Sequence, residues 1–205
     1  MTNICVFAAS SPDLEQSYYD LARDVGACLA QEGMGMVFGG GRIGLMGAAA
    51  QGVKANGGRL IGVIPEKLNQ PGIAYENCDE LIETPTMHTR KETMEGLSSG
   101  FIVLPGGFGT MEELMEVITL KQLGYHNHPI VIVNHKGFWQ PLLEQFSQFY
   151  ETGFAHPGFQ GLYVVADTAL EAVAAVRETS NKSMPDKLQE ALHRRTSGEM
   201  QQGGD

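Results

Sequence analysis

Cysteine is scarce and poorly placed for either of its structural roles. Cys5, Cys28 and Cys78 are odd in number and widely separated, with no CxxC or Cys/His spacing. That pattern offers neither a disulfide framework nor a zinc site and fits free thiols packed in a reducing compartment. Long apolar runs are missing too: none reaches the roughly 18 residues of a membrane span. Asp13, Glu15, Asp20, Arg23 and Asp24 fall where a secretory signal would need its apolar stretch. The expectation is a cytoplasmic protein with no membrane partner. Positive charge is also short, with 14 Lys and Arg against 24 Asp and Glu and a formal charge of −10. Neutralising a phosphate backbone takes clustered cations, so no nucleic-acid partner is expected, although a small anion could still bind locally.

Glycine, by contrast, is abundant. The chain has 26 glycines in 205 residues, nearly twice the usual share of about 7%. They gather in loops that follow strand-like runs. The length suits a single domain, placed at 1–179, with a polar tail at 180–205 that ends in Gln201-Gln202-Gly203-Gly204-Asp205. A short helix is expected within the tail at 186–195.

Short Val/Ile-rich runs alternate with longer segments of helical period, the pattern of βαβ units. Strands are expected at 3–8, 35–38, 59–64, 101–104, 129–133 and 163–165, with a short one at 80–83. Helices are expected at 14–31, 45–56, 86–97, 111–123, 138–151 and 169–178, and a loop at 66–77. The fold class is therefore α/β: a Rossmann-like, doubly wound sheet of six or seven mostly parallel strands with helices on both faces.

In such sheets ligands sit beyond the carboxyl ends of the strands, which directs attention to three loops. The first is Ala8-Ala9-Ser10-Ser11-Pro12, whose hydroxyls either donate to a phosphate or cap the first helix. The second is Gly39-Gly40-Gly41-Arg42-Ile43-Gly44-Leu45-Met46-Gly47. It is either an anion cradle at a helix N-terminus or a tight turn with close helix packing. It also satisfies GxGxxG, with Glu66 at a distance suited to a ribose, but it follows the second strand where a dinucleotide site would follow the first. The third is Pro105-Gly106-Gly107-Phe108-Gly109-Thr110-Met111-Glu112-Glu113, a glycine nest feeding a helix without the Lys of a P-loop. Within it Thr110-x-x-Glu113 reads either as a capping box or as a carboxylate left for catalysis.

A fourth segment adds cations. Met87, Arg90, Lys91 and Met94 share one face of a helix, suited to an anionic ligand with an apolar ring or, equally, to a solvated basic face. His88 points elsewhere on that helix, and His126 and His128 sit in a loop with no acidic partner at metal spacing; all three are read as structural or surface residues, and no metal site is expected.

Taken together, the two glycine segments and Met87-His88-x-Arg90-Lys91 resemble the LOG family of cytokinin riboside 5′-monophosphate phosphoribohydrolases, formerly labelled lysine decarboxylases. The resemblance runs from about Ile4 to Ala175. It implies hydrolysis of the N-glycosidic bond of a purine nucleoside 5′-monophosphate to free base and ribose 5-phosphate, in a homodimer and without a cofactor. It implies Arg90 and Glu113 as the catalytic pair, and Gly106, Gly107, Gly109 and Thr110 around the 5′-phosphate. Gly40, Gly41, Gly44 and Met46 would shape the nucleotide pocket, with Ser11, Met87 and Lys91 also on the substrate. The chain departs from the family at Ala8-Ala9-Ser10-Ser11, where Cys-Gly-Ser-Ser is usual, and at Ser98-Ser99-Gly100, where Ser-Asp-Ala is usual. Both bear on substrate preference. A non-catalytic nucleotide-binding module and a broader nucleoside 5′-monophosphate nucleosidase are the alternatives that the same residues allow.

Overall fold

Strands buried on both faces read as unbroken apolar runs, and the four-residue Gly35–Phe38, the six-residue Leu60–Pro65 and the four-residue Ile130–Val133 segments are buried at every position. In the computed structural model, which describes residues 2–178, these runs pair side by side. The expected tail at 180–205 and its helix lie outside the described residues.

The strands are β1 (Asn3–Phe7), β2 (Gly35–Phe38), β3 (Leu60–Pro65), β4 (Glu80–Thr84), β5 (Phe101–Val103), β6 (Ile130–Val133) and β7 (Val164–Ala166). They form one sheet in the order β4-β3-β2-β1-β5-β6-β7. Every pairing between them is parallel, so the mostly parallel sheet of the sequence reading is wholly parallel across the described strands. The strand order reverses between β1 and β5, which opens a crevice at their carboxyl ends.

Helices α1 (Gln16–Gln31), α2 (Gly44–Ala55) and α6 (Ala169–Glu178) cover one face. Helices α3 (Met87–Gly96), α4 (Phe108–Gln122) and α5 (Gln140–Glu151) cover the other. Three short 3-10 turns, at Glu66–Leu68, His135–Gly137 and Pro157–Gly161, complete the described elements.

Two boundaries differ from the sequence reading in ways that matter. Helix α1 starts at Gln16 with Glu15 as its N-cap residue, so neither Ser10 nor Ser11 caps it. Helix α4 starts at Phe108, three residues before the expected Met111, because glycine at the N-cap lets the nest turn directly into the helix. Thr110 therefore sits in the first turn and forms no capping box with Glu113, whose carboxylate goes elsewhere.

Helices α1 and α2 lie unusually close. A Cβ built on Gly26 would stand 2.1 Å from the Ala49 carbonyl oxygen, and one on Gly52 would stand 2.1 Å from that of Arg23. Backbone meets backbone there, and neither side can yield. Gly26→Ala and Gly52→Ala are each expected to cost about 1–3 kcal/mol by overpacking. A urea titration should show this as a lowered midpoint at unchanged slope.

Candidate active site

The carboxyl ends of β1, β2, β3 and β5 surround a cavity of about 570 Å³. It is lined by the loop after β1 (Ala8 to Ser11), the glycine segment after β2, Met87 and Arg90 of α3, and the start of α4. Arg90 and Glu113 meet at its floor. Arg90 is 6% exposed and Glu113 9%, and Arg90 Nη1 donates to Glu113 Oε1 at 3.0 Å. Arg90 Nε donates to the Val63 carbonyl at 3.2 Å, so the guanidinium bridges β3 and α4. Burial raises the Glu113 pKa above its ordinary value, and the charge and hydrogen bond of Arg90 only partly offset that rise.

Gly39, which the sequence reading placed in the glycine segment but not among the pocket residues, makes the pair possible. A Cβ on it would lie 1.7 Å from Arg90 Nη2. The guanidinium lies against bare backbone just past the end of β2, where any side chain would displace it. The signal was present in the sequence as the first glycine of the triplet, but which group it made room for was not.

The two glycine segments have separated into different tasks. In the first, Gly44 has φ 69°, and the amides of Leu45 and Met46, in the first turn of α2, both donate to the Ala9 carbonyl. Those donors are spent on tying α2 to the loop after β1, which is the close-packing reading of this segment. Gly41 and Met46 line the cavity; Gly40 and Gly44 do not, and pack closely against Ile64 and the Ala9 backbone. In the second segment, Gly107 caps α4 without a side chain, and Gly107, Phe108, Gly109 and Thr110 all line the cavity. The amides of the first turn of a helix have no intrahelical acceptor, so of the two segments it is the N-terminus of α4 that offers this cavity donors suited to an anion. Gly106 stands behind it, where a Cβ would fall 2.1 Å from Thr110 Oγ1.

The face that Met87, Arg90, Lys91 and Met94 share divides in three. Met87 and Arg90 line the cavity, Met94 is buried in the core, and Lys91 is outside the lining. The Lys91 amine pairs instead with Glu112 and with Glu116, the latter at 2.6 Å. Ser11 is exposed and lines the cavity, whereas Glu66 does not line it. The walls that sequence reasoning missed are apolar: Ile43, Ile64, Leu68, Ile73 and Phe108. Leu68 and Ile73 stood out only as apolar residues in a segment otherwise rich in Pro, Gly and Asn.

The histidines and cysteines that the sequence reading considered lie outside the cavity lining. His126 Nε2 donates to the Val117 carbonyl, and burial, with His128 nearby, pushes its pKa down to about 4. Burial pushes the Cys78 thiol up to about 11. Among the described residues no cluster of His, Cys, Asp or Glu could hold a metal ion, and no helix is long and apolar enough to cross a membrane.

Gly39→Ala is expected to expel the Arg90 guanidinium and leave the buried Glu113 carboxyl without its counter-charge. Carboxyl-detected NMR should then find Glu113 ionising at a higher pH than in the parent protein. An unchanged titration would mean that the pair had re-formed around the new methyl group.

A family model described as possible lysine decarboxylase matches residues 46–176. A probable cytokinin riboside 5′-monophosphate phosphoribohydrolase from Oryza sativa subsp. japonica is 42% identical over 174 residues, covering 85% of this chain and 82% of that relative. A cytokinin riboside 5′-monophosphate phosphoribohydrolase from Arabidopsis thaliana is 42% identical over 175 residues, covering 85% and 81%. Among solved structures, the molybdenum cofactor carrier protein from Chlamydomonas reinhardtii superposes with a TM-score of 0.67 at 25% identity, covering 88% of this chain and 99% of that one. On the extent of these matches, the chain belongs to the LOG family of cytokinin riboside 5′-monophosphate phosphoribohydrolases.

Proposed function

We propose that the protein hydrolyses the N-glycosidic bond of a purine nucleoside 5′-monophosphate, giving free base and ribose 5-phosphate. The observation that carries this reading is a buried arginine–carboxylate pair lining the same cavity as a helix N-terminus that has no side-chain cap. The start of α4, with Thr110, suits the 5′-phosphate. Apolar walls at Ile43, Leu68, Ile73, Met87 and Phe108 suit a flat base.

Glu113 lines the same cavity as both regions. As C1′ loses its base it gathers positive charge, which a carboxylate stabilises while it takes a proton from the attacking water. The water oxygen bonds to C1′, the C1′–N bond breaks, and its electron pair leaves with the base, which takes a proton from solvent. Arg90 is a poor proton donor and acts by its charge, orienting Glu113 and offsetting the negative charge of the departing base. Among the described residues no lysine lines the cavity, so a decarboxylase Schiff base has no anchor there.

We further propose AMP and its N6-substituted relatives as substrates, and a cytoplasmic homodimer as the working form. Phe108, 94% exposed at the cavity mouth, is an apolar group suited to cover by a second subunit. Sedimentation should then give twice the mass of one chain.

AMP and isopentenyladenosine monophosphate are expected to yield free base and ribose 5-phosphate with the wild type, and neither product with Glu113→Gln. Nucleotide binding without product would instead indicate a non-catalytic module. The reaction needs ionised Glu113, and burial raises its pKa. The kcat is therefore expected to fall as pH drops through a value above the ordinary glutamate value of about 4.3. An acid limb below that value would remove Glu113 as the acting base.

A further inference from the structure

Helix α3 has an odd attachment to the rest of the molecule. It spans ten residues, and only Arg90, Lys91 and Met94 are buried. A helix this short is marginal alone and ordinarily docks by an apolar face, yet here one methionine supplies all of that face. Its start is fixed by the reciprocal hydrogen bonds of Thr86 and Thr89. Its body meets the sheet through Met94 and the Arg90 bond to the Val63 carbonyl, and is tied to α4 by charge. Consecutive residues of α3 reach consecutive residues of α4: Arg90 pairs with Glu113, and Lys91 pairs with Glu112 and, one turn further on, with Glu116.

We infer that Lys91 is a positioning residue that clamps α3 to α4 and so holds Arg90 and Glu113 in register, and that it is not a ligand of the nucleotide. The inference rests on the proposed hydrolysis. Three observations carry it. Lys91 is 7% exposed and does not line the cavity. Its amine is enclosed by two carboxylates on the same face of α4, which would repel a phosphate approaching it. Its partner Glu112 adjoins Glu113 in the chain, so any shift of α4 against α3 that breaks the clamp also moves the acting carboxylate.

The clamp reaches Glu113 through charge as well. After burial and the opposing Arg90, Glu112 raises the Glu113 pKa and Lys91 lowers it. Glu95, on α3, feels the charges of Lys91, Glu112 and Glu116 and is itself pushed up to about 7 by burial and by Glu116. The Cys5 thiol of β1 also lies within the electrostatic reach of Glu113. Removing the Lys91 charge therefore leaves Glu112 uncompensated beside Glu113.

The test is steady-state hydrolysis of AMP across pH by the wild type, Lys91→Met, Lys91→Arg and the double variant Glu112→Gln/Glu116→Gln. A displacement near 1 Å at a reacting group costs about 100-fold in rate, so Lys91→Met is expected to lower kcat by about 10- to 100-fold. Its KM should stay within about 3-fold of the wild type. Its acid limb should move to higher pH. Lys91→Arg should restore most of kcat, and the double variant should lose kcat with KM retained. A raised KM at unchanged kcat in Lys91→Met would make Lys91 a direct substrate ligand, and unchanged values of both would dispose of the clamp. Should Lys91→Met fail to fold, the double variant decides by the same split between kcat and KM. Should the wild type be inactive on AMP, the hydrolysis reading fails separately. The Glu113 carboxyl titration needs no turnover, and its upward movement in Lys91→Met would still support the clamp, whereas no movement would overturn it.

Discussion

The ion pair between Arg90 and Glu113 is the interaction around which the site is organised. Two charges withdrawn from water lose several kcal/mol of hydration each, and only good geometry with further hydrogen bonds offsets that loss. The molecule supplies both. The Val63 carbonyl accepts from Arg90 Nε, Gly39 leaves room for Nη2, and the second turn of α4 presents Glu113 to Nη1. Each requirement falls on a different element, so β2, β3, α3 and α4 are all constrained by one pair of side chains. What remains after these compensations is a carboxylate still raised by burial, a condition suited to a group that must exchange a proton.

Topology explains why such a pair can sit beside an anion site in a chain that is acidic overall. The reversal of strand order between β1 and β5 opens the crevice, and the loops after these strands form two of its sides. For the proposed phosphate, favourable potential would come from the backbone dipoles at the start of α4 and from Arg90, both local and partly shielded from water. The net charge of −10 is spread over the rest of the chain. Glu112 and Glu116, which would oppose an anion, are bound to Lys91 away from the cavity. The arrangement separates charges that the linear sequence leaves side by side.

Two glycine segments of similar composition do different work for a definable reason. In both, a glycine loop leads from a parallel strand into a helix. After β2 the first amides of the helix find the Ala9 carbonyl within reach and bond to it. After β5 the corresponding amides face the cavity. Whether a helix N-terminus packs or binds is decided by what the neighbouring loop places in front of it.

The alternation of Val/Ile runs with helical segments determined the fold class, because a parallel sheet covered on both faces needs that pattern. The paired glycine segments, with Arg90 and Glu113, determined the family and the location of the site. Three things were settled only by tertiary structure. Glu113 serves Arg90 and not a capping box, since α4 begins at Phe108 and its cap is a glycine. Lys91 points to α4 while its neighbour Arg90 faces the cavity, because adjacent helical residues lie about 100° apart and the helix face meets two different neighbours. The apolar walls at Leu68 and Ile73 come from a segment whose Pro, Gly and Asn signal a loop but not its course; the backbone bonds that join Arg42 to Ile73 and Tyr75 to Gly40 bring it over the cavity. Local pattern specifies elements and motifs; which side chain meets which is fixed by contacts between residues distant in the chain.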